Sequence, residues 1–109
     1  MADTANEAGI PEEPCPKEKL TAKEWVLCRI QEEGFSPVTA NKVIQCESGW
    51  NNQATHTNTN GSTDSGLWQI NSIHTSLSEA EKKDIYKSTE FAIVLLKSNR
   101  SWNHWVCNR

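Results

Sequence analysis

Thr55-His56-Thr57-Asn58-Thr59-Asn60-Gly61-Ser62-Thr63-Asp64 is the stretch that separates this chain from an all-helical protein. Threonine-rich arms flank Asn60-Gly61, a dipeptide that tolerates positive φ at both central positions of a tight turn, so the segment reads as a β-hairpin. A polar surface loop is the competing reading. Against it, the chain returns at once to Gly66-Leu67-Trp68-Gln69-Ile70-Asn71, where apolar and amide side chains mix. Leu67 and Ile70 read as core. The amides of Gln69 and Asn71, beside an aromatic ring, suit sugar hydroxyls and acetamido groups.

Upstream, Ser36-Pro37 opens a helix, with Ser36 as N-cap and Pro37 at the first helical position. Its apolar stripe is Ala40, Val43 and Ile44, and the next position of the i, i+3, i+4, i+7 series is Glu47. A carboxyl there would lose water, and desolvation raises its proton affinity toward what a general acid needs. A frayed helix end would instead leave Glu47 in water, and spacing alone admits both readings. Asp64 sits in a polar hairpin instead. Two carboxylates in such unlike settings can divide the labour of glycoside hydrolysis, one acid and one anion.

Outward from this pair the chain reads as helices. Thr21-Ala22-Lys23-Glu24 is a capping box; Trp25, Val26, Cys28 and Ile30 follow at roughly helical spacing, and Gly34 supplies a stop. Ser78-Glu79-Ala80-Glu81 is a second capping box, opening a short helix to about Tyr86. Ser88-Thr89 then caps a helix through Lys97 that is apolar nearly all round and should be the central core element. Residues 1–20 hold three prolines and little that is large and apolar, so they read as a flexible lead-in, tethered at Cys15, to a folded unit at 21–109.

The 109 residues suffice for one modest core. Five tryptophans serve either that core or a carbohydrate cleft. A net charge of −3 gives no reason to expect nucleic-acid binding, and no apolar run approaches the ~20 residues of a membrane span. Four cysteines in a short chain suggest two disulfides and an oxidising compartment. No metal or other cofactor is expected, because Cys-x-x-Cys is absent and His56, His74 and His104 are scattered. The polar start Met1-Ala2-Asp3-Thr4 is not a signal peptide. An extracellular, periplasmic or virion-associated protein would then have lost its signal or leave by lysis.

Glu47-Ser48-Gly49-Trp50-Asn51, then Gln53-Ala54-Thr55 and the run from Asn58 through Asn71-Ser72, closely resemble c-type lysozyme. In that family a helix-ending glutamate is followed 17 residues later by an aspartate, and here 64 − 47 = 17. The close match covers about residues 46–72, with a looser one through Trp102 and Trp105. Glu-Ser-Gly, Gly-Leu-Trp-Gln-Ile and the closing Trp-x-x-Trp also look like bacterial and phage lytic transglycosylases of the lysozyme superfamily. The chain departs from the c-type pattern by passing almost directly from Ser72 to Ser78. It omits the loop that carries sugar-stacking tryptophans in animal lysozymes, and it lacks their eight-cysteine layout and basic charge. A compact bacterial or phage enzyme fits better.

The resemblance implies an α+β lysozyme-like fold, with about four helices and a short β-hairpin beside the active-site cleft. It implies Glu47 as general acid and Asp64 as nucleophile or ion stabiliser. Asn58, Ser62 and Asn71 would surround Asp64 and keep it ionised, Gln69 and Asn71 would lie near the N-acetyl sugar, and Trp102 would pack against Glu47. In lysozyme the corresponding glutamate has a raised proton affinity, and the resemblance implies the same for Glu47. It would place the activity optimum on the acidic side of neutral.

The activity implied is that of a monomeric muramidase. It would cleave the β-1,4 bond between N-acetylmuramic acid and N-acetylglucosamine in peptidoglycan glycan strands. A lytic transglycosylase forming 1,6-anhydro products is the alternative, and a non-catalytic carbohydrate-binding or structural module is a third reading. Cys46 is expected to pair with Cys107, because Cys46 precedes Glu47 and Cys107 follows the tryptophans expected to pack there. That link would close about 60 residues, for which chain entropy gives roughly 4 kcal/mol. Cys15 and Cys28 then pair by default, with Cys28–Cys46 as the alternative.

Overall fold

The computed structural model describes residues 14–105. Among them the elements run α1 (Ala22–Glu32), α2 (Pro37–Ser48), β1 (Thr55–Thr57), β2 (Thr63–Ser65), β3 (Ile70–Asn71), α3 (Glu79–Lys82) and α4 (Ile85–Asn99). The fold is α+β, four helices beside a small antiparallel sheet in the order β1-β2-β3.

The start of α1 is set by a complete capping box. Thr21 Oγ1 accepts from the Glu24 amide, and Glu24 Oε1 accepts from the Thr21 amide at 2.9 Å. At its far end the chain reverses through Gly34 (φ 89°), and the Phe35 amide reaches back to the Ile30 carbonyl at 3.0 Å. Trp25, Val26 and Ile30 of α1 meet Ala40, Val43 and Ile44 of α2 in the core. Arg29 bridges α1 to α4, its guanidinium donating to both carboxylate oxygens of Glu90. Before α1, Cys15 is buried and forms a disulfide with Cys28. Cys46 is disulfide-bonded as well; the expected Cys46–Cys107 pairing lies outside the described residues, as Cys107 does.

The last long helix differs from its sequence reading. It begins at Ile85, capped by Asp84, whose side chain accepts from the Lys87 amide at 2.9 Å. Ser88 and Thr89 are therefore not caps but buried first-turn and second-turn residues, and Thr89 Oγ1 accepts from the Trp68 indole N–H at 2.9 Å. The preceding helix shortens to Glu79–Lys82. Nor is α4 buried all round: Ala92, Ile93 and Leu96 face the core, while Val94 is exposed. The apolar run is wider than the face that α1 and α3 pack against.

The hairpin at residues 55–65 forms, with Thr57 paired to Thr63 and His56 to Asp64. Its turn is not the two-residue type that Asn60-Gly61 suggests. Gly61 has φ 88°, whereas Asn60 is not among the positive-φ residues. The Gly61 amide donates to the Asn58 carbonyl at 3.0 Å and the Asn58 amide to the Ser62 carbonyl at 2.8 Å. This is a three-residue loop, a type I turn closed by a left-handed glycine. As a result Asn58 and Ser62 face each other directly across the loop base.

Trp68 is the centre of the core. It is fully buried; its indole ring stacks on Trp102 at 6.3 Å, and its carbonyl accepts from the Trp105 indole at 2.8 Å. The Trp68 and Trp105 rings are buried with both indole N–H groups satisfied, which helps give a chain this small a defined interior. None of the described helices is long and apolar enough to cross a membrane.

Candidate active site

Glu47 lies on the last turn of α2, partly buried. The helix end is not frayed. Gly49 caps it in the left-handed conformation (φ 61°), and its amide donates to the carbonyls of Gln45 and Ile44. Ser48 Oγ donates to the Leu67 carbonyl at 2.7 Å, which ties the glutamate-bearing turn to the segment after β2. Glu47 therefore continues the stripe of Val43 and Ile44 toward the sheet.

Asp64 lies on β2 directly opposite Asn71 of β3. Asn71 Nδ2 donates to Asp64 Oδ1 at 2.8 Å, and Asn58 Nδ2 donates to Oδ2 at 3.1 Å. The same two amide groups also donate to Ser62 Oγ, at 3.1 Å from Asn58 and 3.2 Å from Asn71. Ser62 Oγ in turn donates to Asn60 Oδ1 at 2.7 Å. The account closes: each amide gives one hydrogen to the carboxylate and one to the hydroxyl, whose own proton goes to Asn60. Both oxygens of Asp64 accept N–H bonds.

Glu47 and Asp64 line one cleft of about 310 Å³, together with Asn58, Ser62, Gln69 and Asn71. The sequence reading had singled out all six. Trp102, expected against Glu47, is not among the residues lining this cleft: it is partly buried at the edge of the core, stacks on Trp68 and meets Phe35 edge-on at 6.4 Å. Trp105, with His104, forms the aromatic wall instead. Asn60, His104 and Trp105 are the lining residues that sequence reasoning missed. The Trp102/Trp105 pair signalled an aromatic wall but not which ring supplies it.

Two cleft residues have their side-chain amides taken up within the protein. Asn71 spends both amide hydrogens within the network, and its Oδ1 accepts from the Ile73 amide at 3.0 Å. It positions Asp64 and has no hydrogen left for a sugar. Gln69 adopts positive φ (51°), and its Nε2 donates to the carbonyls of Ala54 at 3.2 Å and Gly66 at 2.9 Å. Only its carbonyl oxygen is not held by the turn.

Beneath the sheet lies a support the sequence did not announce. Lys82 is 2% exposed, its Nζ donating to the Asn71 carbonyl and to Glu79 Oε2, each at 3.2 Å. Glu79 Oε1 accepts from the buried Ser65 hydroxyl at 2.6 Å. The Ser65 hydroxyl, and secondarily Lys82, hold the Glu79 carboxyl below its ordinary range. A depressed folded-state value stabilises the fold above the unfolded value of ~4.3 and loses that effect as pH falls through the lower folded value. Glu79→Gln is therefore expected to lower the urea midpoint at pH 7, with the difference from wild type fading below about pH 4. Parallel midpoint curves across that range would remove Glu79 from the support.

The match to known families follows this geometry. The family model described as the transglycosylase SLT domain matches residues 26–106, from α1 through the tryptophan-rich end. The chain belongs to the transglycosylase SLT domain family. It is thus a lysozyme-like protein acting on peptidoglycan. No curated protein sequence matches it.

Proposed function

We propose that this SLT-domain protein is a muramidase that hydrolyses the β-1,4 bond following N-acetylmuramic acid. The observation that carries the reading is the Asp64 network, in which two asparagine amides hold both carboxylate oxygens in the cleft that Glu47 lines. An anion fixed this way suits the positive charge that develops at the sugar's anomeric carbon, and its donors need no reorganisation during reaction. Glu47 protonates the departing glycosidic oxygen. Asp64 stabilises or attacks the oxocarbenium-like carbon, and a water activated by the deprotonated Glu47 completes the cleavage. Gln69 presents its carbonyl oxygen to an acetamido N–H. Peptidoglycan as substrate, together with the Cys15–Cys28 disulfide, favours a working place outside the cytoplasm.

Membership of the SLT family favours a second reading, lytic transglycosylation. There the muramic acid's own C6 hydroxyl attacks, Glu47 serves as acid and then base, and Asp64 is not required. Mass spectrometry of peptidoglycan digests separates the two. Hydrolysis yields reducing muramic ends, and Asp64→Asn is expected to lower their rate of release by about 10²-fold or more. Products one water lighter, released at an unchanged rate by Asp64→Asn, would establish the transglycosylase.

A further inference from the structure

We propose that His74 and His104 form a two-histidine site for a divalent borderline metal ion such as Zn²⁺, at the edge of the cleft. Their Nε2 atoms are 3.3 Å apart, and the ring planes are inclined by 48°. Two nitrogens bound to Zn²⁺ at ~2.05 Å in tetrahedral geometry lie roughly 3.3 Å from each other. The same spacing serves a shared N–H between neutral rings, so the ion can replace that proton without displacing either side chain. On binding, the bridging proton leaves one Nε2 and that imidazole becomes its Nδ1–H tautomer. Both rings stay neutral, and each gives an Nε2 lone pair to the metal.

The rings are held in place before any ion arrives. His74 packs edge-on against Phe91 of α4 at 5.4 Å, and its amide donates to the Asn71 carbonyl at 3.0 Å. His104 packs edge-on against Trp105, also at 5.4 Å. The two come from segments 30 residues apart, the loop after β3 and the tryptophan-rich end. No group of three metal-ligating side chains occurs among the described residues, so the two imidazoles are the ligands on which the site rests. That argues for modest affinity and for a clamp between the two segments, not a folding core. Because His104 lines the cleft, the ion would stand at the rim of the substrate path.

Titration of the full chain with Zn²⁺ by calorimetry is expected to give one site. His74→Ala and His104→Ala should each weaken it at least ten-fold, while the Glu47→Gln/Asp64→Asn double variant retains it. Imidazole ¹⁵N spectra provide a check independent of variant folding. The Nε2 signals of His74 and His104 should move on Zn²⁺ addition while those of His56, on β1, stay. Binding lost only with the carboxylate double variant, equal movement of all three histidines, or the absence of saturable heat would each overturn the site.

Discussion

Glu47→Gln is expected to lower peptidoglycan cleavage by roughly 10³-fold while leaving the melting temperature close to that of the wild type. The substitution keeps the side chain's shape on the last turn of α2 and replaces the carboxyl that holds the transferable proton by an amide that cannot supply one. That helix end is secured by Gly49 and by the Ser48 bond to the Leu67 carbonyl, neither of which involves the carboxyl. Both proposed chemistries need the proton at this position, so the loss is expected whichever product forms. Turbidity clearing of purified peptidoglycan, read beside a thermal melt, checks it. Equal clearing by wild type and variant would remove Glu47 as the acid and leave a carbohydrate-binding module as the reading of this fold.

The parts of the fold that could be read from sequence are those whose cause is local. The Thr21/Glu24 and Ser78/Glu81 capping boxes form because each needs only residues three apart. Ser36-Pro37 starts α2 for the same reason. The hairpin was legible too, but its turn type was not. An asparagine can take positive φ, yet here Asn60 keeps negative φ and uses its side chain to hold Ser62, leaving the left-handed position to Gly61 alone. That contact spans only two residues, but the Asn-Gly dipeptide by itself does not announce it, since it depends on the serine that follows.

The site divides along the same line. Glu47 and Asp64 were legible from their unlike settings, and the residues around Asp64 through the resemblance to c-type lysozyme; the structure supplies the cause, with strand pairing bringing Asn71 opposite Asp64 and the hairpin bringing Asn58 opposite Ser62. The aromatic wall was not. Trp102 and Trp105 both sit in an irregular segment with no helical or strand period to say which faces inward, and the choice falls to Trp68, which stacks on one and hydrogen-bonds the other. Lys82 defeats sequence reading outright. A lysine is normally solvated, and only the Asn71 carbonyl and Glu79 make its burial tolerable. Likewise Asp84 displaced Ser88 as the cap of α4 because Ser88 and Thr89 are taken up by the core.

Gly66→Ala is the substitution expected to cost the fold most, about 3–5 kcal/mol, and to lower the melting temperature by roughly 15 °C or more. Two causes combine. Gly66 has φ 86°, where a side chain is strained by roughly 1–2 kcal/mol. A Cβ there would also stand 1.9 Å from the Lys82 carbonyl oxygen and 2.8 Å from its carbon, so backbone, not a flexible side-chain tip, must yield. Gly34→Ala is the matched control: its φ is 89°, but nothing lies within 4 Å of the added carbon. It should show the strain alone. The difference between the two variants then measures how closely α3 is seated on the turn after β2. That seat carries function, since α3 supplies Lys82 to the Asn71 carbonyl and Glu79 to Ser65, on either side of Asp64's pairing in the sheet. Lifting α3 loosens the strand that aims Asn71 at Asp64, so Gly66→Ala should lose peptidoglycan cleavage at temperatures where it is still folded, while Gly34→Ala does not. Equal thermal losses in the two variants would show that the close approach of α3 contributes nothing, and that the sheet holds Asp64 unaided.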